Sequence, residues 1–82
     1  MKTKSDKEHV PMSLDQIETG KTVRIDHIEA GHGLKNRLAA MGLLADQPIR
    51  VMLNDHRGQV IIAVKNSRVV LGRGMSHKIF VR

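Results

Sequence analysis

The sequence predicts a mainly β domain, a small barrel of short antiparallel strands with two short helices attached. Three observations carry this expectation. The chain has 82 residues, enough for one domain and no second. Apolar residues alternate with polar ones over several short stretches, which is the two-residue period of strands with one wet face. Gly, Asn, Asp and Ser separate those stretches, as tight chain reversals require.

Composition narrows the function. A chain this short buries only about 60–65% of the surface its unfolded form exposes, so its core is thin and a deep catalytic cleft is not expected. Cysteine is absent, which removes disulfides and thiolate metal sites and suits a reducing compartment. Phe80 is the only aromatic residue, so the core must be aliphatic and no platform exists for stacking bases. The net charge of +6 is uneven: residues 1–56 hold 8 basic and 8 acidic side chains, whereas Arg57, Lys65, Arg68, Arg73, Lys78 and Arg82 follow with no acid. That asymmetry points to an anionic partner or, more plainly, to a solvated basic face.

Residues 1–11 are polar and are expected to form a disordered tail ahead of a domain over 12–82. They hold no apolar core of the kind a secretory signal has, and no stretch approaches the roughly 18 apolar residues of a membrane span. Residues 12–19 carry a helix-start signature, with Ser13 as cap, Gln16 completing a capping box and Met12 facing Ile17. Gly20 ends that helix. Residues 21–28 alternate as a first strand, with His27 on the face of Val23 and Ile25 and therefore partly buried. Residues 34–41 form the clearest helix, with Leu34, Leu38 and Met41 on one stripe, Gly42 as left-handed cap and Leu43 folding back on Leu38.

Residues 48–53 make a second strand with Ile49, Val51 and Leu53 inward, and Asn54 to Gly58 a hairpin loop. Residues 59–65 make a third, apolar on both faces and so expected to be central; Asn66-Ser67 is its turn into a fourth strand over 68–71. Gly72-Arg73-Gly74 breaks that strand with a kink, and 78–82 ends the chain as a fifth. Five strands in about 70 residues point to an SH3-like barrel, with an OB-type barrel as the rival.

These elements resemble the FeoA family. The resemblance rests on LDQIETGKTVRIDHI at 14–28, on the Arg-Leu-x-x-Met-Gly-Leu helix end at 37–43, and on RVVLGRGMSHKIFV at 68–81, and it covers 12–82. The sequence departs from that pattern at turns: Asn66-Ser67 replaces a Gly-rich turn, no proline stands near Gln59, and Ala45-Asp46-Gln47-Pro48 replaces a Pro-Gly turn. The resemblance implies an SH3-like fold and a partner, the FeoB-type ferrous iron transporter with its cytosolic GTPase domain. FeoA-like domains also occur at the C-terminus of DtxR-type metal-dependent repressors.

Each local constellation has a plain structural reading beside a functional one. In RLAAMGL, Leu38 and Met41 read as core and Gly42 as cap, leaving Arg37 to reach a partner or the helix carbonyls. Asp26, His27, Glu29 and His32 lie within seven residues, and imidazole with carboxylate suits ferrous iron. Their spacing matches no recognised ligand set, so no dedicated metal site is expected; His27 and His32 are its weak candidates. No tightly bound cofactor is implied, and ferrous iron is compatible with these side chains without being required. Gly72-Arg73-Gly74 lacks the Lys and Ser/Thr of a phosphate-binding loop. Ser5, Ser13, Ser67 and Ser76 lack a nucleophile elbow, and no carboxylate pair has acid–base spacing. No catalytic residue is expected.

The resemblance to the FeoA family implies the leading expectation, a non-enzymatic, cytoplasmic regulatory or adaptor module of ferrous iron transport, docking onto the GTPase part of a FeoB-type transporter. It would meet the membrane only through that partner and bind no nucleic acid. Its contact surface would combine Leu44 and Met52 with Arg37 and Arg73, and salt would weaken it. The alternatives are nucleic-acid binding through the basic C-terminal third, or metal sensing through the histidines, as in a domain related to the DtxR-type C-terminal domain.

Overall fold

The computed structural model describes residues 10–82, so the tail expected over 1–11 lies outside the described residues except for its last two positions. The elements in chain order are β1 (Met12–Ser13), a 3-10 turn (Leu14–Gln16), β2 (Thr22–Ile28), α1 (His32–Ala40), β3 (Pro48–Asn54), β4 (Val60–Val64), β5 (Ser67–Leu71), α2 (Arg73–Ser76) and β6 (Ile79–Val81). The six strands run antiparallel in the order β1-β6-β2-β3-β4-β5. The first half of β2 pairs with β3 and its second half with β6, so one strand belongs to both halves of an SH3-like barrel. Between β5 and β6, α2 packs against β5 and the 3-10 turn.

Every large core side chain is aliphatic. Ile25, Leu38, Val51, Ile62, Leu71 and Ile79 are among those with no exposed surface, each contributing roughly 1.5–3 kcal/mol by leaving water. β4 is not the centre of the sheet as expected but lies between β3 and the edge strand β5, with Val60, Ile62 and Val64 buried and Ile61 and Ala63 half-buried; its second face is therefore only partly covered. α1 ends as expected. Gly42 stands at φ +93°, and its N–H donates to the Ala39 carbonyl at 2.9 Å while that of Leu43 donates to Leu38 at 3.0 Å. These are the two bonds of a Schellman cap, which the left-handed residue makes possible.

Several expectations are corrected. The helix over 12–19 is a two-residue strand followed by a single 3-10 turn; the Ser13 hydroxyl bonds the Asp15 carboxylate and caps no backbone N–H. The second helix lies instead at Gly72-Arg73-Gly74, where the kink is the start of α2. Met41 is 40% exposed, because it is the cap residue and has left the helical stripe. The β4–β5 turn is Lys65-Asn66, with Val64 opposite Ser67 and Lys65 at φ +55°.

Two β-bulges change the facing of strands. In β2, Ile25 opposes Val81 and His27 opposes Phe80, so Asp26 is the extra residue. In β3, Val51 opposes Ile62 and Leu53 opposes Ile61, so Met52 is the extra residue. An extra residue restarts the two-residue alternation. His27 is therefore turned outward and Ile28 towards the core, and Leu53 is 47% exposed while Asn54 is buried.

Candidate partner-docking groove

The β2 bulge builds one wall of an open groove of about 300 Å³ between β2 and α1. Its lining is mostly apolar: Ile25 and Ile28 from β2, Ala39 from α1, and Leu43 and Leu44 from the segment after the cap. Leu43 is buried in the core, so its neighbour Leu44 is turned out and stands 52% exposed at the groove. Lys35 and Asn36 of α1 add polar groups.

Asp26 and His27 also line it and belong to a chain of alternating charges. The Asp26 carboxylate lies 2.6 Å from His27 Nδ1, and His27 Nε2 lies 3.0 Å from the Glu29 carboxylate. On its other side Asp26 accepts from Arg82 Nε at 3.1 Å, and the same guanidinium bonds the Asp46 carboxylate. The His27 ring stacks on Phe80, with centroids 4.9 Å apart and planes 3° from parallel, the cross-strand pair that the bulge creates. The carboxylates of Asp26 and then Glu29, which accept hydrogen bonds from the protonated ring, hold the His27 pKa above its ordinary value, and the hydrogen bond with His27, helped by Arg82, holds Asp26 below the usual carboxylate range.

This geometry bears on metal binding. Both ring nitrogens of His27 already face carboxylate oxygens, and among the described residues no cluster of three or more His, Asp or Glu side chains is arranged to hold an ion. His32 is the exposed first residue of α1.

Of the residues expected to meet a partner, only Leu44 lines the groove. Arg37 is exposed towards the end of α1, Arg73 is exposed at the start of α2, and Met52 is 37% exposed at the β3 bulge. The expectation that His27 is partly buried on the Val23–Ile25 face is corrected by the bulge: its side chain is 44% exposed. Sequence reasoning also missed the Asp26–Arg82–Asp46 link, which joins residues far apart in the chain and leaves no local pattern.

The chain matches the FeoA domain family over residues 12–82. It belongs to the FeoA family. It is 39% identical over 62 residues to a Methanocaldococcus jannaschii protein named "Putative Fe(2+) transport protein A", covering 76% of this chain and 74% of the relative. A crystal structure of an iron uptake regulatory protein, FeoA, superposes with a TM-score of 0.82 at 27% identity, covering 89% of this chain and 97% of that one. A manganese-dependent transcriptional repressor superposes with a TM-score of 0.79 at 23% identity, over 87% of this chain and 40% of the repressor; that likeness speaks for a shared fold. At the turn where this FeoA domain departs from the expected Pro-Gly, Asp46 itself adopts φ +69°. Aspartate tolerates this region better than most residues, and its carboxylate there reaches Arg82. No helix among the described residues is long and apolar enough to cross a membrane.

Proposed function

We propose that this FeoA domain is a non-enzymatic accessory module of ferrous iron transport, acting in the cytoplasm by docking onto the GTPase part of a FeoB-type transporter. The observation that carries the reading is the open apolar groove with Leu44 half-exposed at its side. A leucine left in water beside an unfilled apolar hollow gains free energy when a partner side chain covers it. Arg37 and Arg73 are exposed outside the groove and would add positive charge to a contact that extends beyond it. Membership of a family with a relative named for Fe(2+) transport supplies the biological setting. Docking would act by favouring one conformation of the GTPase part over another, to the extent that the two present different surfaces to the groove.

Co-purification of the full chain with the cytosolic GTPase part of a FeoB-type transporter, at low and high salt, tests this. Binding is expected, weaker at high salt, and lost in Leu44→Asp. Absence of binding at both salt concentrations would refute the proposal.

A further inference from the structure

A second surface shares no residue with the groove. On β3, β4 and β5 the strand register places Leu53 opposite Ile61 and Ile61 opposite Val70. These three make an apolar row across the sheet, on its outer side, with Leu53 47% and Val70 54% exposed. Two residues along the strands lies a parallel row: Arg50 opposite Ala63, and Ala63 opposite Arg68. The middle residue is small, so two exposed guanidinium-bearing side chains flank an open strip. The β3 bulge makes the apolar row. Without the extra Met52, Leu53 would face the core, as its alternation with Ile49 and Val51 implies.

The charge on this face is mostly positive. None of the three strands contains an acidic residue; the hairpins at their ends add Arg57 and Lys65 and one carboxylate, Asp55, whose Oδ1 accepts from the Arg57 backbone N–H. Among the described residues, none of these four cations has an ion-pair partner. A second copy of this chain is a poor occupant, because an isologous contact would set arginine rows against one another with no carboxylate on the strands to answer them. A nucleic acid would answer the arginines but leave the exposed leucine and valine uncovered, and the chain's one aromatic, Phe80, lies on β6.

We propose that the outer face of β3–β4–β5 docks an acidic amphipathic helix of a partner protein, laid across the strands. Its apolar stripe covers Leu53, Ile61 and Val70, and its carboxylates meet Arg50 and Arg68. The dimensions agree. Three strands span about 10 Å between the outer two, and positions i and i+7 of a helix are also about 10 Å apart. The two rows lie about 7 Å apart along the strands, so a carboxylate on the stripe beside the apolar one reaches the arginines. This goes beyond the transporter reading, since a domain with a groove on one side and this face on another has two places to bind.

The test is an amide NMR titration of the full chain with a synthetic helical peptide, leucines at i, i+3 and i+7 and glutamates on the adjacent stripe. Shifts are expected at Leu53, Ile61, Ala63, Arg68 and Val70, and not at Ala39 or Leu44. Arg50→Glu with Arg68→Glu is expected to weaken binding about tenfold or more while the rest of the spectrum is kept, with Arg50→Gln and Arg68→Gln as a milder pair. The same peptide with lysines for glutamates is expected not to bind. Equal binding of the lysine peptide, or wild-type affinity in the glutamate variant, would overturn the proposal. So would an unshifted face, the same shifts produced by a short DNA duplex, or a dimer in sedimentation that Val70→Ser dissolves.

Discussion

Around β2 and β6, Asp46, Arg82, Asp26, His27 and Glu29 form one connected string of opposite charges, whereas Arg50, Arg57, Lys65 and Arg68 around β3–β5 have no ion-pair partner among the described residues. The first group is spent on the fold: it ties Arg82 to β2 and to the α1–β3 connection and fixes the wall of the groove. The second group is exposed on the sheet face that we propose docks a partner. Each half also carries a bulge, one at Asp26 and one at Met52. A single extra residue thus turns a histidine into a charge network in one half and a leucine into solvent in the other.

The largest expected effect comes from the residue that the β3 bulge turns inward. The Asn54 side chain donates to the carbonyls of Asp15 at 2.9 Å and Ile17 at 2.8 Å, and accepts from the His56 N–H at 2.9 Å. It fastens the 3-10 turn region to the β3–β4 hairpin. Asn54→Ala leaves those groups without partners and is expected to cost about 2–3 kcal/mol in urea denaturation; a loss below ~0.5 kcal/mol would mean that water replaces the amide.

Smaller effects separate the two charge groups. His27 has a raised pKa, so its contribution to stability is fully present below the ordinary histidine value of about 6.5 and is lost as pH rises through the folded value. Asp26 has a lowered pKa, so its contribution is present above about 3.9 and is lost as pH falls through the folded value. The network is therefore strongest between those limits. Stability should decline as pH rises from about 6.5 through the raised folded value of His27, and His27→Gln should flatten that decline; a His27 titration midpoint at or below the ordinary value would contradict the network. The smallest effect is expected for Arg50→Gln and Arg68→Gln, within about 0.5 kcal/mol of wild type. A larger loss in thermal melting would show that the sheet face holds the fold after all.

What was legible in the sequence follows the same division. β4 has no inserted residue, so its pattern gave the correct faces, and α1 was legible because only a residue free of Cβ strain sits easily at the φ of Gly42. The alternation in β2 and β3 gave correct faces only as far as each bulge. A bulge is set by pairing with a distant strand, and it leaves no local signal. The first helix failed because the capping-box pattern at Ser13 is satisfied differently: its hydroxyl finds Asp15, and the chain leaves the 3-10 turn in extended conformation at Ile17. For the candidate site, the exposure of Leu44 was readable from its place after a capped helix. The groove beside it was not, because one wall comes from the irregular part of β2.

On the proposal above, the GTPase part of a FeoB-type transporter docks in the groove between β2 and α1. Amide NMR of the full chain, titrated with that GTPase part, tests it most directly. The expected result is selective shift or broadening at Ile25, Ile28, Ala39 and Leu44, reduced in Leu44→Asp. Changes confined to Leu53, Ile61 and Val70, or an unchanged spectrum, would contradict it.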